Sequence, residues 1–506
     1  LVDALVEIGD TVSEVVIALD QGSSSSRALA VNAKGRVIAR AQYPVESFFP
    51  KPGWVEHDPA ELSRTLERAL DDVLEKVPKS ARIVGVGIAA QRSTVVLWDA
   101  KTGRPACMAP SWMDGRASEI IAPLQSRQTE IHEKTGLYAT PFYSAPKIRY
   151  LLDHEPKARA LAEEGRLRIG PVTTYLLWKL TGGDVFRVDP ALAQRMLLFN
   201  IQEGDWDNDM LALFNIPRAA LPDVAPTTGD WGELKRKGRE MRVLAVMGDQ
   251  QSAAFGQGGD VEGLGVLNYG TGAFFLLHTG EKRHHIPGLL TSVAWQRKDR
   301  PTSYFLEGTV HAAGTSFEWL KTLGLLSNSK AVDQACRKST HRLWALQAIG
   351  GLGAPRWDYK TPTTFMGLQA KTRSEDIVRG VTESIALLVS DIVRAVRGKG
   401  LKVEHLRASG GLAKVDYLLQ FQSDILQQRI TRLQESEATA LGAASMAAEV
   451  AGMPWADDLR SGAGEIVFEP AIDEQAAAAH LSAWTVFAEG QRKLAAELDK
   501  LGAFSS

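Results

Sequence analysis

The 506 residues carry 44% apolar and 23% charged side chains at a formal net charge of −2, the balance of a soluble globular enzyme and one that offers nucleic acid no counter-charge. Cys107 and Cys336 are the only cysteines, which excludes a disulfide framework and a cysteine zinc site and suits a reducing, cytoplasmic setting. The apolar stretches, such as 264–277, break off before the roughly 20 residues of a membrane-spanning helix, and the length calls for two hydrophobic cores.

Residues 1–14 lack the basic segment and apolar run of a secretory signal and read as a short extension. Val15–Asp20, the turn Gln21–Ser26 and Arg27–Val31 predict strand, tight polar turn, strand, with a third strand at Val37–Gln42. Asp58 before Pro59 predicts a helix start, with Glu61 placed to close a capping box and Leu62, Leu66, Leu70 and Val73 on one face. Ile83–Ile88 predicts a buried strand that delivers Gln91–Arg92–Ser93 at its end, where ligands gather in open α/β sheets. The polar, basic segment 230–242 is expected to be a surface loop. A short strand, Val243–Val246, leads into Gly248–Asp249–Gln250–Gln251 and a small-residue helix at 252–257.

The second half opens like the first. Gly265–Tyr269, Gly270–Thr271–Gly272 and Ala273–Leu277 repeat the strand, small-residue turn and strand, so a duplicated architecture is expected, with the boundary near Gly258. Helices are expected at 315–325, 374–396, 415–428 and 438–450, the last so rich in Ala and Gly that it should pack closely in the interior. Gly410–Gly411 follows a strand at 406–409.

Several of these residues suit phosphoryl transfer, which needs a held triphosphate and metal, an acceptor oxygen in line and a group to take its proton. Ser23, Ser24 and Ser25 can present amides and hydroxyls to phosphate, with Arg27 adding charge. Asp20, ending its strand, can hold Mg²⁺; equally, such an Asp serves as a structural hydrogen-bonder. Gly270–Thr271–Gly272 and Gly410–Gly411 allow backbone approach to a phosphate or a flat ring; each alone is also an ordinary glycine turn. Asp249 can accept a hydroxyl proton or cap the following helix. Arg92 and Trp112 are candidate walls for a hydroxylated carbon chain.

The blocks LDQGSSSSRALAV, FPKPGWVEHDP, QRSTVVLWD, WKLTGG, GDQQSAAFGQ, NYGTGAF, GLGAPRWD and SGGLAKVDYLLQFQSDIL, in this order, resemble the glycerol kinase branch of the FGGY carbohydrate kinases over roughly residues 15–450. The resemblance implies an α/β chain of two actin-like, ribonuclease-H-like domains around a central cleft, 15–258 for the polyol and 259–506 for most of the nucleotide. It implies ATP and Mg²⁺, with Asp249 as catalytic base and Asp20 and Asp249 as metal-associated acids. Ser23, Ser24, Ser25 and Arg27 form its phosphate hairpin; Gly270, Thr271, Gly272, Gly314, Gly410 and Gly411 make nucleotide contacts. Arg92, Ser93, Trp112, Phe142, Gln250 and Phe274 occupy acceptor positions.

Two departures bear on that acceptor. Glycerol kinases have Arg–Glu where this chain has Arg92–Ser93, and Tyr at Phe142. The expected substrate is glycerol or a related small polyol, with a larger polyol or ketose as the alternative. An actin-like ATPase with a binding role is the alternative of another class. A homodimer or homotetramer is left open, and no nucleic-acid or membrane partner is expected. The segment before Val243 lacks the family's Gly–Gly–Thr–Arg sugar-phosphate motif, so feedback by fructose 1,6-bisphosphate is not expected.

Overall fold

The computed structural model describes residues 14–432, 437–453 and 465–503. The N-terminal extension lies outside them except for Glu14, which opens the first strand. The chain divides into two compact units. The first holds the described residues up to Gly258, Ser292–Ser303 and 437–453; the second holds the rest.

The sheet of the first unit has the order Glu233–Arg236, Arg239–Gly248, Arg82–Ala90, Glu14–Gln21, Ser25–Asn32, Val37–Pro44. Its first three strands in sequence are antiparallel neighbours, and Arg82–Ala90 and then Arg239–Gly248 add in parallel. Val15 to Leu19 are all fully buried, as a strand covered on both faces requires. One face lies against the helix Pro59–Lys76, which Asp58 caps by accepting the amide of Ala60 at 2.9 Å. Glu61 does not close the expected capping box. It accepts the amide of Glu46 instead, at 3.4 Å.

The helix Ala438–Val450 packs against this sheet and against the helix Asp249–Gly256. Its small residues are required there. A Cβ on Gly442 would collide with the carbonyl of Ser252, and one on Gly87 with that of Ala443, so helix and strand backbones touch with no side chain between them.

The expected loop at 230–242 is a hairpin, Glu233–Arg236 and Arg239–Gly248, turning at Lys237–Gly238 with both residues at positive φ, the geometry of the two-residue turn that matches strand twist. Leu234 and Met241 are buried and alternate with the charges. Arg236 pairs with Glu67 and Asp71, and Lys237 with Glu75, along the helix Pro59–Lys76. The basic side chains are thus the outer face of an edge hairpin answered by an acidic helix face.

The second unit repeats the plan. Thr302–Val310, Ala273–His278 and Leu264–Tyr269 are antiparallel neighbours, after which His405–Ser409 and Ile430–Arg432 add in parallel. The helix Ser374–Arg397 lies at the centre of its core, burying Val378, Val381, Ile385, Ile392 and Val396 completely. Among the described residues no helix is long and apolar enough to cross a membrane. Cys107 and Cys336 are free.

Candidate active site

In the first unit three parallel strands stop at one level. Gln21 pairs with Ala90 and Ala90 with Gly248, so Asp20, Gln91–Arg92–Ser93 and Asp249 all emerge from one edge of the sheet. Arg92, nearly buried, sets Nε 3.7 Å from Oδ1 of Asp249, which is about a quarter exposed. Asp249 is the first residue of its helix rather than its cap, and its carboxylate accepts the amide of Gln250 at 2.7 Å.

Asp20 faces Arg27 across the hairpin, with a guanidinium nitrogen 3.8 Å away, and the same nitrogen lies 3.5 Å from Glu437 at the start of the small-residue helix. The Asp20 carboxyl is held up at about 7: burial raises it most, Arg27 pulls it down, and the neighbouring charges of Asp249 and Glu437 also raise it. Nε of Arg27 is buried and has no hydrogen-bond partner among the described residues.

The Ser23 hydroxyl takes a hydrogen bond from Nε1 of Trp112 at 2.9 Å and donates to Oε1 of Gln91 at 3.3 Å. Thr94 donates its hydroxyl to the same Gln91 oxygen at 2.8 Å and accepts the amide of Trp112 at 3.0 Å. The hairpin, Gln91, Thr94 and Trp112 therefore form one hydrogen-bonded wall. Ser24 is exposed at the hairpin tip, whereas Ser25 is buried, its carbonyl taken by Gly22.

Ser93 is buried at φ +63°, a left-handed conformation unusual for a residue with a side chain. Its carbonyl accepts from the Ser144 hydroxyl at 3.1 Å and from Nζ of Lys147 at 2.8 Å. Lys147 also reaches the carbonyl of Phe142, which brings Phe142 to the same cluster. Gln91, Glu437 and Lys147 were not among the sequence candidates. Lys147 had a signal: it shares the buried face of an amphipathic helix with Ser144, Ile148 and Leu151, a position where an apolar residue is the rule.

In the second unit the remaining candidates also meet at strand ends. Asn268 pairs with Ser409, placing Gly410 beside Tyr269, where a Cβ would strike the Tyr269 carbonyl. Gly314 donates its amide to the carbonyl of Gly270 at 3.0 Å, and Ala313 and Thr315 donate to that of Thr271. Thr271 is exposed at the tip. A Cβ on Gly272 would sit 2.8 Å from the carbonyl of Val310, so packing within the unit already requires that glycine. Gly411, by contrast, faces open space. Phe274 is half-buried and pairs with Asn268. Val415 is buried in this unit's core.

The model of the FGGY family of carbohydrate kinases, N-terminal domain, matches residues 15–256, and that of the C-terminal domain matches 265–451. The chain is 41% identical over 451 residues to a glycerol kinase of Alkalilimnicola ehrlichii, covering 87% of this chain and 91% of the relative. It is 38% identical over 454 residues to one of Listeria monocytogenes, with the same coverage. The crystal structure of Plasmodium falciparum glycerol kinase with ADP superposes with a TM-score of 0.88 at 29% identity, over 95% of this chain and 98% of that one. A ligand-bound xylulose kinase from Lactobacillus acidophilus, 20% identical with a TM-score of 0.83 over 96% and 100% of the two chains, shares the fold. The duplicated sheet is therefore the actin-like, ribonuclease-H-like architecture of these kinases, and the chain belongs to the FGGY family of carbohydrate kinases, on its glycerol kinase branch.

Proposed function

We propose that this kinase transfers the γ-phosphoryl group of ATP to a hydroxyl of glycerol or a related small polyol, with Asp249 as general base. The observation that carries the reading is the Arg92–Asp249 pair on the strand-end edge it shares with Asp20. Asp249 accepts the proton of the acceptor hydroxyl as that oxygen attacks the γ-phosphorus; the bond to the bridging oxygen breaks and ADP leaves. Arg92 orients the carboxylate, and a guanidinium donates readily to hydroxyls. The Trp112 indole, fixed by Ser23, covers the carbon chain. Ser24 at the hairpin tip and Arg27 take phosphate oxygens, to which the unpartnered Nε–H of Arg27 is suited. Gly270, Thr271, Gly314 and Gly411 of the second unit serve the nucleotide.

Mg²⁺ fits Asp20, whose buried carboxyl is held up to about 7 and gains from a cation beside it. Among the described residues no three acidic, His or Cys side chains cluster as a metal site, so Asp20, helped by Asp249, would share the ion with phosphate oxygens and water. Bound there, Mg²⁺ supplies charge neutralisation at the transferred group.

Ser93, buried and uncharged, stands where the branch carries a carboxylate, which favours a four- or five-carbon polyol or a ketose as the second reading. ADP release measured on glycerol, longer polyols and ketoses tests both. Release that depends on glycerol supports the first and release that depends on a longer acceptor the second; release that depends on no acceptor rejects both.

A further inference from the structure

Lys147 is completely buried, and a buried ammonium is costly unless every donor is answered. Here three donors meet three acceptors. Nζ donates to the carbonyls of Ser93, Ser111 and Phe142, each at 2.8 Å. None of the three belongs to the lysine's own helix, Ser144–His154, and none is a carboxylate. The acid whose charge acts on it, Asp114, is taken by Arg116, which binds both of its oxygens at 2.8 Å and also reaches Glu56. A carboxylate partner would have met the charge more simply, so three separate backbone segments gathered on one ammonium need a reason.

The identity of the segments supplies it. Ser93 follows Arg92, Ser111 precedes Trp112, and Phe142 is itself an acceptor-site candidate. Ser93 is also the wall residue held at φ +63°, and its carbonyl is fixed from two sides, by Lys147 and by the Ser144 hydroxyl one turn earlier on the same helix. Backbone in that conformation persists where surrounding contacts over-determine it. We infer that Lys147 is a positioning residue for the acceptor pocket: one buried ammonium ties the Arg92–Ser93, Ser111–Trp112 and Phe142 walls into a single preformed surface. This rests on the acceptor reading above and adds to it the element that sets the pocket's shape.

The Lys147 ammonium is lowered to about 7, chiefly by burial, with Arg116 also lowering it and Asp114 opposing. The neutral amine keeps two donors for three carbonyls. Acceptor binding in the parent enzyme should therefore weaken as pH rises from 6.5 to 8.5, while the KM for ATP changes less than two-fold.

The test is steady-state kinetics of Lys147→Met and Lys147→Gln beside the parent, on glycerol and on the best longer acceptor, across that pH range. The expected result is an acceptor KM raised about 10-fold or more in Lys147→Met, a changed ratio between the two acceptors, and an ATP KM within about two-fold of the parent. Lys147→Gln, which restores donors without a titrating charge, should recover part of the affinity and show a flat acceptor KM against pH. An unchanged acceptor KM, or equal losses toward acceptor and ATP, overturns the inference while leaving the kinase reading intact. If neither variant folds, the parent's profile decides alone, and a flat acceptor KM from pH 6.5 to 8.5 overturns it. A parent with no acceptor-dependent ADP release overturns both readings.

Discussion

Replacing Asp20 by Asn should make the protein more stable and less active. Burial is the largest influence on this carboxyl and Arg27 the only one opposing it, and together with Asp249 and Glu437 they move it from the ordinary 3.8 to about 7. The folded value lies above the unfolded one, so between about pH 4 and pH 7 the native state keeps a proton that the unfolded chain releases. Stability from this group is therefore full on the acid side, falls as pH rises through that window and levels off above it. A shift of roughly three units at about 1.36 kcal/mol each makes the loss about 4 kcal/mol. Asn has the same shape and no charge to desolvate. The difference in unfolding free energy between Asp20→Asn and the parent should be small near pH 4 and grow to about 3–4 kcal/mol by pH 8. Urea unfolding at pH 4.5, 6 and 8, without Mg²⁺ or nucleotide, measures it. The same variant should lose Mg²⁺-dependent turnover, the trade between stability and activity expected of a buried functional charge. A stability difference that does not change with pH would refute the reasoning, because the carboxyl would then titrate alike in both states.

Asp249→Asn should lower turnover by about 10²–10⁴-fold, the usual worth of a general base, while calorimetric nucleotide affinity stays within a few-fold; turnover close to the parent's would remove Asp249 from that role. Arg27→Ala and Thr271→Ala should raise the KM for ATP or lower turnover while leaving the ratio of kcat/KM on two acceptors unchanged, and a large change in that ratio would place them on the acceptor side. Ser93→Glu should shift kcat/KM toward glycerol over the best longer acceptor by about 10-fold, since hydroxyl-reading groups discriminate strongly, and further together with Phe142→Tyr because neighbouring changes couple. A parent already strongly selective for glycerol would refute the last expectation.

The parts legible in the sequence were those written locally. Val15–Leu19 and Leu264–Tyr269 are apolar runs that end in small polar turns, and the duplicated meander follows from them. Asp58–Pro59 and the small residues of 438–450 likewise carried their structural meaning on their face. The paired arm at 233–242 was hidden because its charges outnumber Leu234 and Met241, the two buried residues that mark its alternation. What remained illegible depends on distant chain. The return of Ser292–Ser303 and of the Ala438–Val450 helix to the first unit is decided by packing, and Gly272 is required by carbonyls nearly 40 residues away as much as by any ligand. Lys147 gave a local anomaly, but its three partners lie on segments that only the fold assembles.

The duplication also shows how one framework carries different side chains at one register position. In the first unit the second-to-last residue of the leading strand is Asp20, and its cross-strand partner is Arg27. In the second unit the corresponding residue is Asn268, and its partner is Phe274. One register position thus holds an ion pair in one copy and a neutral pair in the other. The ion pair carries a desolvation cost, visible in the raised Asp20 carboxyl, which a cation bound beside the carboxylate would offset. The neutral pair carries no such cost. It leaves a strand edge of glycines, with Gly411 open and Gly314 and Gly410 lying against the backbone at Gly270 and Tyr269, a surface of amides and flat backbone rather than fixed charges. The fold supplies the same strand-end platform twice, and at that one register position the first platform carries charged side chains and the second neutral ones.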